Sequence, residues 1–138
     1  MNVKRFSPGF RISVFDAVIL LGGVCGTLIL WEKRWYAGAM VGFSVGHFFL
    51  FCNVFRIERK PELIWAAVFV MLGVLTVFTG FPGWAVTFGG AAMLSAVLIG
   101  LEMRKPGYHG VGWRVANPGL KEWWEARSTS KRGPGIAT

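Results

Sequence analysis

Four apolar blocks, each about as long as a lipid bilayer is thick, fill most of this chain and leave it few ways to fold. They run over Ile12–Trp31, Trp35–Phe55, Leu63–Phe81 and Trp84–Leu101. Each holds 18–21 residues, enough for a helix to cross a hydrocarbon layer of about 30 Å. The connections are short: Glu32-Lys33-Arg34, then a charged stretch over 56–62, then a turn around Pro82-Gly83. Short connections make successive helices antiparallel neighbours. The expected fold is an all-α integral membrane protein, a four-helix transmembrane bundle with an irregular C-terminal tail and a short interfacial helix. Residues 1–101 make the transmembrane domain and residues 102–138 an aromatic, basic cytoplasmic tail.

Composition excludes the main alternatives. The chain of 138 residues is 54% hydrophobic, with a mean hydropathy of +0.50. A water-soluble bundle would need polar helix faces, and these blocks have none. The net charge of +8 does not point to nucleic acid, because the basic residues flank the apolar blocks and form no single stripe. Anionic lipid headgroups are the expected partners of those charges. Cys25 and Cys52 both fall inside apolar blocks, with no CxxC pair and no disulfide framework.

Charge also orients the chain. With the N-terminus inside, thirteen Lys/Arg lie on that side and only Lys33 and Arg34 on the other. This positive-inside asymmetry predicts that both termini are cytoplasmic, as in a bacterial inner (plasma) membrane protein. Lys4, Arg5 and Arg11 ahead of the first block imitate a signal peptide. No small-residue cleavage site follows, so residues 12–31 read as a retained helix.

Small residues mark the expected packing faces. Gly38, Gly42 and Gly46 share one side of the second helix with Phe49 and Asn53, and Arg56 stands at its cytoplasmic end. A row at this spacing lets another helix approach closely. Tyr36, Met40, Phe43, Ser44, His47 and Phe51 lie on the other side. Gly22 and Gly26 form a similar pair on the first helix, and Ala85, Gly89, Ala92, Ala96 and Gly100 a longer row on the fourth. Trp65, Phe69, Gly73, Thr76 and Gly80 share one side of the third. Asn53 calls for a hydrogen bond, and Asp16 suits the first turn of a helix, where the backbone dipole favours an anion.

His47 is the one histidine inside a span, and hydrocarbon satisfies no polar group. It is expected to hydrogen-bond to another helix. The alternatives are axial ligation of haem or a chlorophyll-type pigment, and proton, quinone or substrate handling. The only other histidine, His109, lies in the tail. A bis-histidine haem would therefore need a partner chain.

The tail is rich in Gly and Pro until Asn117-Pro118, which reads as a helix N-cap followed by a first-turn proline. Residues 119–127 are expected to form a short helix on the headgroups or on a neighbouring subunit. Arg56, Arg59, Lys60, Trp113, Trp123 and Trp124 are the candidate contacts with lipid or subunits. No phosphate-binding loop, dinucleotide fingerprint, metalloprotease helix or nucleophile elbow occurs. An enzyme confined to this chain is not expected. The favoured function is a small polytopic accessory or scaffold subunit of a larger membrane complex. The alternatives are a pigment- or haem-binding subunit and a small oligomeric transporter or channel.

Overall fold

A computed structural model describes residues 7–130. Lys4, Arg5 and the end of the tail lie outside the described residues. Helix α1 covers Val14–Lys33 and α2 covers Trp35–Phe49, continuing as a π-helical turn over Leu50–Val54. Helix α3 covers Arg59–Thr79 and α4 covers Trp84–Met103. Two short helices follow, α5 (Trp113–Ala116) and α6 (Leu120–Ser130). The protein is thus all-α, with four helices long and apolar enough to cross a membrane and a short C-terminal helix.

Each helix end has a local cause. Ser13 and Asp16 close α1 with a reciprocal capping box. The Asp16 N–H donates to Ser13 Oγ at 3.2 Å, and the Ser13 N–H donates to Asp16 Oδ2 at 2.7 Å. Arg34 alone joins α1 to α2. In extended conformation, it donates its N–H to the Leu30 carbonyl, and its own carbonyl accepts from the N–H groups of Ala37 and Gly38. The sequence suggested a three-residue connection here; α1 instead runs on through Glu32 and Lys33. Pro61 sits in the first turn of α3, where its missing N–H costs nothing. Gly80 ends that helix in the left-handed region at φ 74°.

The bundle is two hairpins. Helix α1 packs along α2, and α3 packs along α4. Between α2 and α3 the backbones are farther apart, and large side chains fill the gap. Phe51, Ile57, Trp65, Phe69 and Ala91 form this core, with Met40, Phe43 and Phe88 against it. Helix α1 is peripheral and has no buried residue. Its Val14, Phe15, Val18, Leu21 and Leu28 are all exposed, a surface that suits lipid and not water.

The α1–α2 contact uses the glycine face of α2. A Cβ at Gly38 would stand 2.6 Å from the Thr27 carbonyl and 2.8 Å from the Trp31 nitrogen. A Cβ at Gly42 would meet Thr27 Oγ1 at 3.0 Å. From the α1 side, the closest glycine is Gly23, against Val45. Gly26 is in ordinary contact range of Val41, and nothing stands within 4 Å of a Cβ at Gly22 or Gly46.

At the Arg34 end, Trp35, Tyr36 and Trp84 cluster. The Tyr36 and Trp84 rings stack with centroids 4.9 Å apart. Arg34 donates to the Tyr36 hydroxyl at 2.8 Å, and this bond holds the guanidinium above its usual pKa. Such rings are at home in the headgroup zone.

Candidate functional site

Two places concentrate chemistry: an aromatic wall around His47, and the polar end of the bundle opposite the Arg34 elbow.

The aromatic wall arises from helical spacing. Phe43, His47 and Phe51 project from the same side of α2 and its π turn, and Trp65 and Phe69 face them from α3. The indole of Trp65 lies nearly parallel to the His47 ring, with centroids 4.6 Å apart and planes 11° from parallel. Phe43 covers His47 from one turn earlier at 4.0 Å. The Trp65 N–H reaches across to α4 and donates to the Ala91 carbonyl at 3.0 Å. His47 Nδ1 bonds to the carbonyl of Phe43 at 2.8 Å. Its partner is therefore its own helix, one turn back, and not another helix as the sequence suggested. A carbonyl only accepts, so Nδ1 carries the proton and, in the neutral ring, Nε2 carries the lone pair. Among the described residues Nε2 has no hydrogen-bond partner.

The other buried polar groups are satisfied within the bundle. Thr76 and Thr87 hydroxyls pair across α3 and α4 at 2.8 Å, and Ser95 donates to the Ala91 carbonyl. No group of three or more His, Cys, Asp or Glu side chains is placed to hold a metal among the described residues.

The polar end begins with the π turn. Widening the last turn of α2 redirects its carbonyls. Those of Asn53 and Val54 accept from the N–H groups of Arg11 (3.1 Å) and Val111 (2.8 Å). The approach to α1 and the tail after α4 are therefore both tied to the end of α2. Gly9 N–H donates to the His109 carbonyl, which ties these two segments to each other. Gly110 sits so close to the Phe55 carbonyl that no side chain fits there. Asn53 is buried. With its amide nitrogen turned to the available acceptors, it donates to Asp16 Oδ2 at 3.0 Å and to the Arg11 carbonyl at 2.8 Å. The expected hydrogen-bonding role of Asn53 thus has specific partners, on and just before α1.

Charges surround this knot. Arg56 has a left-handed backbone (φ 50°) and donates to the Ser7 carbonyl at 2.6 Å. Burial, and then the nearby charge of Arg11, pulls its guanidinium below its usual pKa. Arg59 and Lys60 are exposed at the start of α3. Lys105 bridges Glu102 and Glu58 at 2.8 and 3.0 Å. Hydrogen bonds to Glu102 first, then Glu58, raise its pKa. Tyr108 is buried and donates to the Val111 carbonyl at 2.6 Å. Burial, reinforced by Glu102, holds its phenol above its usual pKa.

In the tail, Asn117 bonds the Pro106 carbonyl and α6 starts at Leu120, later than the expected cap position. Leu120 is fully buried. The Trp123 ring lies against Gly107, 3.1 Å from where a Cβ would stand, and the Arg127 guanidinium lies over the Trp123 ring, 5.0 Å from its centroid. Trp113 and Trp124 are half-buried, with Arg114 over the Trp113 ring at 5.7 Å.

Four apolar spanning helices, lipid-suited outer surfaces and satisfied interior hydroxyls define a small, all-helical polytopic membrane protein. Comparison with known protein families, with curated proteins and with solved structures finds no match for this chain.

Proposed function

We propose that this protein is a small accessory or scaffold subunit of a larger membrane complex, with both termini on the cytoplasmic side of a bacterial inner membrane. The observation that carries this reading is the small-residue row of α4. Ala85, Gly89, Ala92, Ala96 and Gly100 are all exposed, and nothing lies within 4 Å of a Cβ at Gly89 or Gly100. The same chemistry makes this chain's own backbone contact between α1 and α2, where Gly38 meets Thr27. A row of small residues offers lipid little contact area, whereas it lets a second helix come close. The remaining partner contacts would come from the tail, through Trp113, Trp123 and Trp124, and from Arg59 and Lys60.

The test is purification in mild detergent of the wild type and of Gly89→Leu/Ala96→Leu, with Met93→Leu as control. Stoichiometric partners and slow blue-native migration are expected for wild type and control, with both lost in the double variant. Identical behaviour of all three would overturn the reading.

One observation favours a second reading, a haem- or chlorophyll-type pigment held by His47. The bond from Nδ1 to Phe43 presents Nε2 as a lone pair, the state a metal ligand needs. A Soret or far-red band lost in His47→Ala would support it, and a colourless complex would end it. The transport reading gains no support from Thr76, Thr87 and Ser95, whose hydroxyls serve as packing hydrogen bonds.

A further inference from the structure

Arg11 and Arg56 stand together at the polar end of the bundle, just before α1 and just after the π turn of α2. The chain holds them there from both sides. The Arg11 N–H is fixed to the Asn53 carbonyl, and the Arg56 side chain is fixed to the Ser7 carbonyl. Arg56 is the one non-glycine residue with a positive φ among the described residues, a conformation with a real cost for a long side chain. That conformation turns its guanidinium back toward the approach to α1.

Neither arginine makes an ion pair among the described residues, although the Asp16 carboxylate feels the charge of Arg11. Both ion pairs among the described residues belong to Lys105, which occupies Glu58 and Glu102. The nearby Asp16 carboxylate is taken by the Ser13 N–H, the Ser13 hydroxyl and the Asn53 amide. Arg56 uses one N–H on Ser7, and the Arg11 guanidinium makes no hydrogen bond among the described residues. Two cations close enough to repel therefore keep most of their donors unspent among the described residues, at the ends of the apolar helices α1 and α2. Next to Arg11 in the chain, Phe10, Ile12, Val14 and Phe15 are exposed at 55%, 52%, 84% and 72%, apolar surface at the start of α1.

We propose that Arg11 and Arg56 together bind the phosphate of an anionic phospholipid, whose acyl chains lie along the exposed start of α1. An anion between the two guanidinium groups relieves their mutual repulsion and accepts from both forks. The inference is independent of whether the chain works as a subunit.

The experiment is native mass spectrometry of the full chain, titrated with phosphatidylglycerol or phosphatidylcholine, with inorganic phosphate as competitor. Phosphatidylglycerol is expected to bind in preference to phosphatidylcholine. At about one surface charge's worth of attraction per arginine, Arg11→Gln should weaken it about fivefold and Arg11→Gln/Arg56→Gln about 30-fold. Lys33→Gln, at the opposite end, should leave it unchanged. Arg11→Gln carries the test, because among the described residues its side chain makes no hydrogen bond, and its melting without lipid is measured to account for its attraction to Asp16. Arg56→Gln loses its bond to Ser7, so its melting without lipid is measured alongside. Equal phosphatidylglycerol binding by wild type and Arg11→Gln overturns the site. Displacement of the lipid by millimolar phosphate, with phosphate alone protecting wild type but not Arg11→Gln, supports the phosphate site and overturns the lipid as its source.

Discussion

The indole nitrogen of Trp65 donates to the backbone carbonyl of Ala91 at 3.0 Å. The same indole lies flat on His47, so one side chain joins α2, α3 and α4. Trp65→Phe keeps a ring and loses the bond, and should cost about 1 kcal/mol. Trp65→Ala also empties the core and should cost about 3–5 kcal/mol. Reversible unfolding in mixed micelles measures both. A smaller loss for Ala than for Phe would contradict this account of the core.

Gly38 and Gly46 share a helix and a spacing but not an environment. A methyl group at 38 would collide with the Thr27 carbonyl, while one at 46 meets nothing. Gly38→Ala should therefore destabilise the detergent-solubilised monomer by about 1–3 kcal/mol. Gly46→Ala should leave its melting unchanged. Equal melting temperatures would mean that α1 and α2 are not in close contact.

Alkaline pH should loosen the tail. The pKa of Lys105 lies above 10.5 in the folded chain because of Glu102 and Glu58. That of Tyr108 lies above 10.0 because of burial. Both are raised by folding, so their contributions are complete below those unfolded values and are lost as pH rises through the folded ones. Limited proteolysis of residues 104–112 by a protease active at alkaline pH should stay slow up to about pH 10 and accelerate above it. Tyr108→Phe and Lys105→Met should each flatten that rise. A tail released at mildly acidic pH would reverse the sign and refute the assignment.

The orientation inferred from charge can be tested by labelling intact cells with a membrane-impermeant thiol reagent. In a background with Cys25 and Cys52 replaced by alanine, Lys33→Cys should react from outside. Thr129→Cys should react only after the membrane is opened. The opposite pattern would place the termini outside.

The sequence makes the four spans visible because length and apolarity are local properties. The buried side of α3 is also visible: of the row Trp65, Phe69, Gly73, Thr76 and Gly80, the first four are the buried residues of that helix, and Gly80 instead ends it, exposed. Helix α4 is different. Its most conspicuous row, Ala85 to Gly100, faces outward, and the inward side is Thr87, Ala91 and Ser95. Where lipid and core are equally apolar, composition does not say which face turns inward. On α1 the close contact falls to Gly23 and Thr27, and not to Gly22, for the same reason. In the lacing of the polar end, the side chain of Asn53 alone called for a hydrogen bond in the sequence. The rest is made largely by backbone groups of Gly9, Arg11, Asn53, Val54, His109 and Val111, which nearly any residue carries.

The Arg34 elbow leaves α1 and α2 no slack. With one residue between them, neither helix can slide vertically past the other. A bilayer that grows thicker or thinner must be met by both together, tilting like a single plank hinged at the aromatic rim.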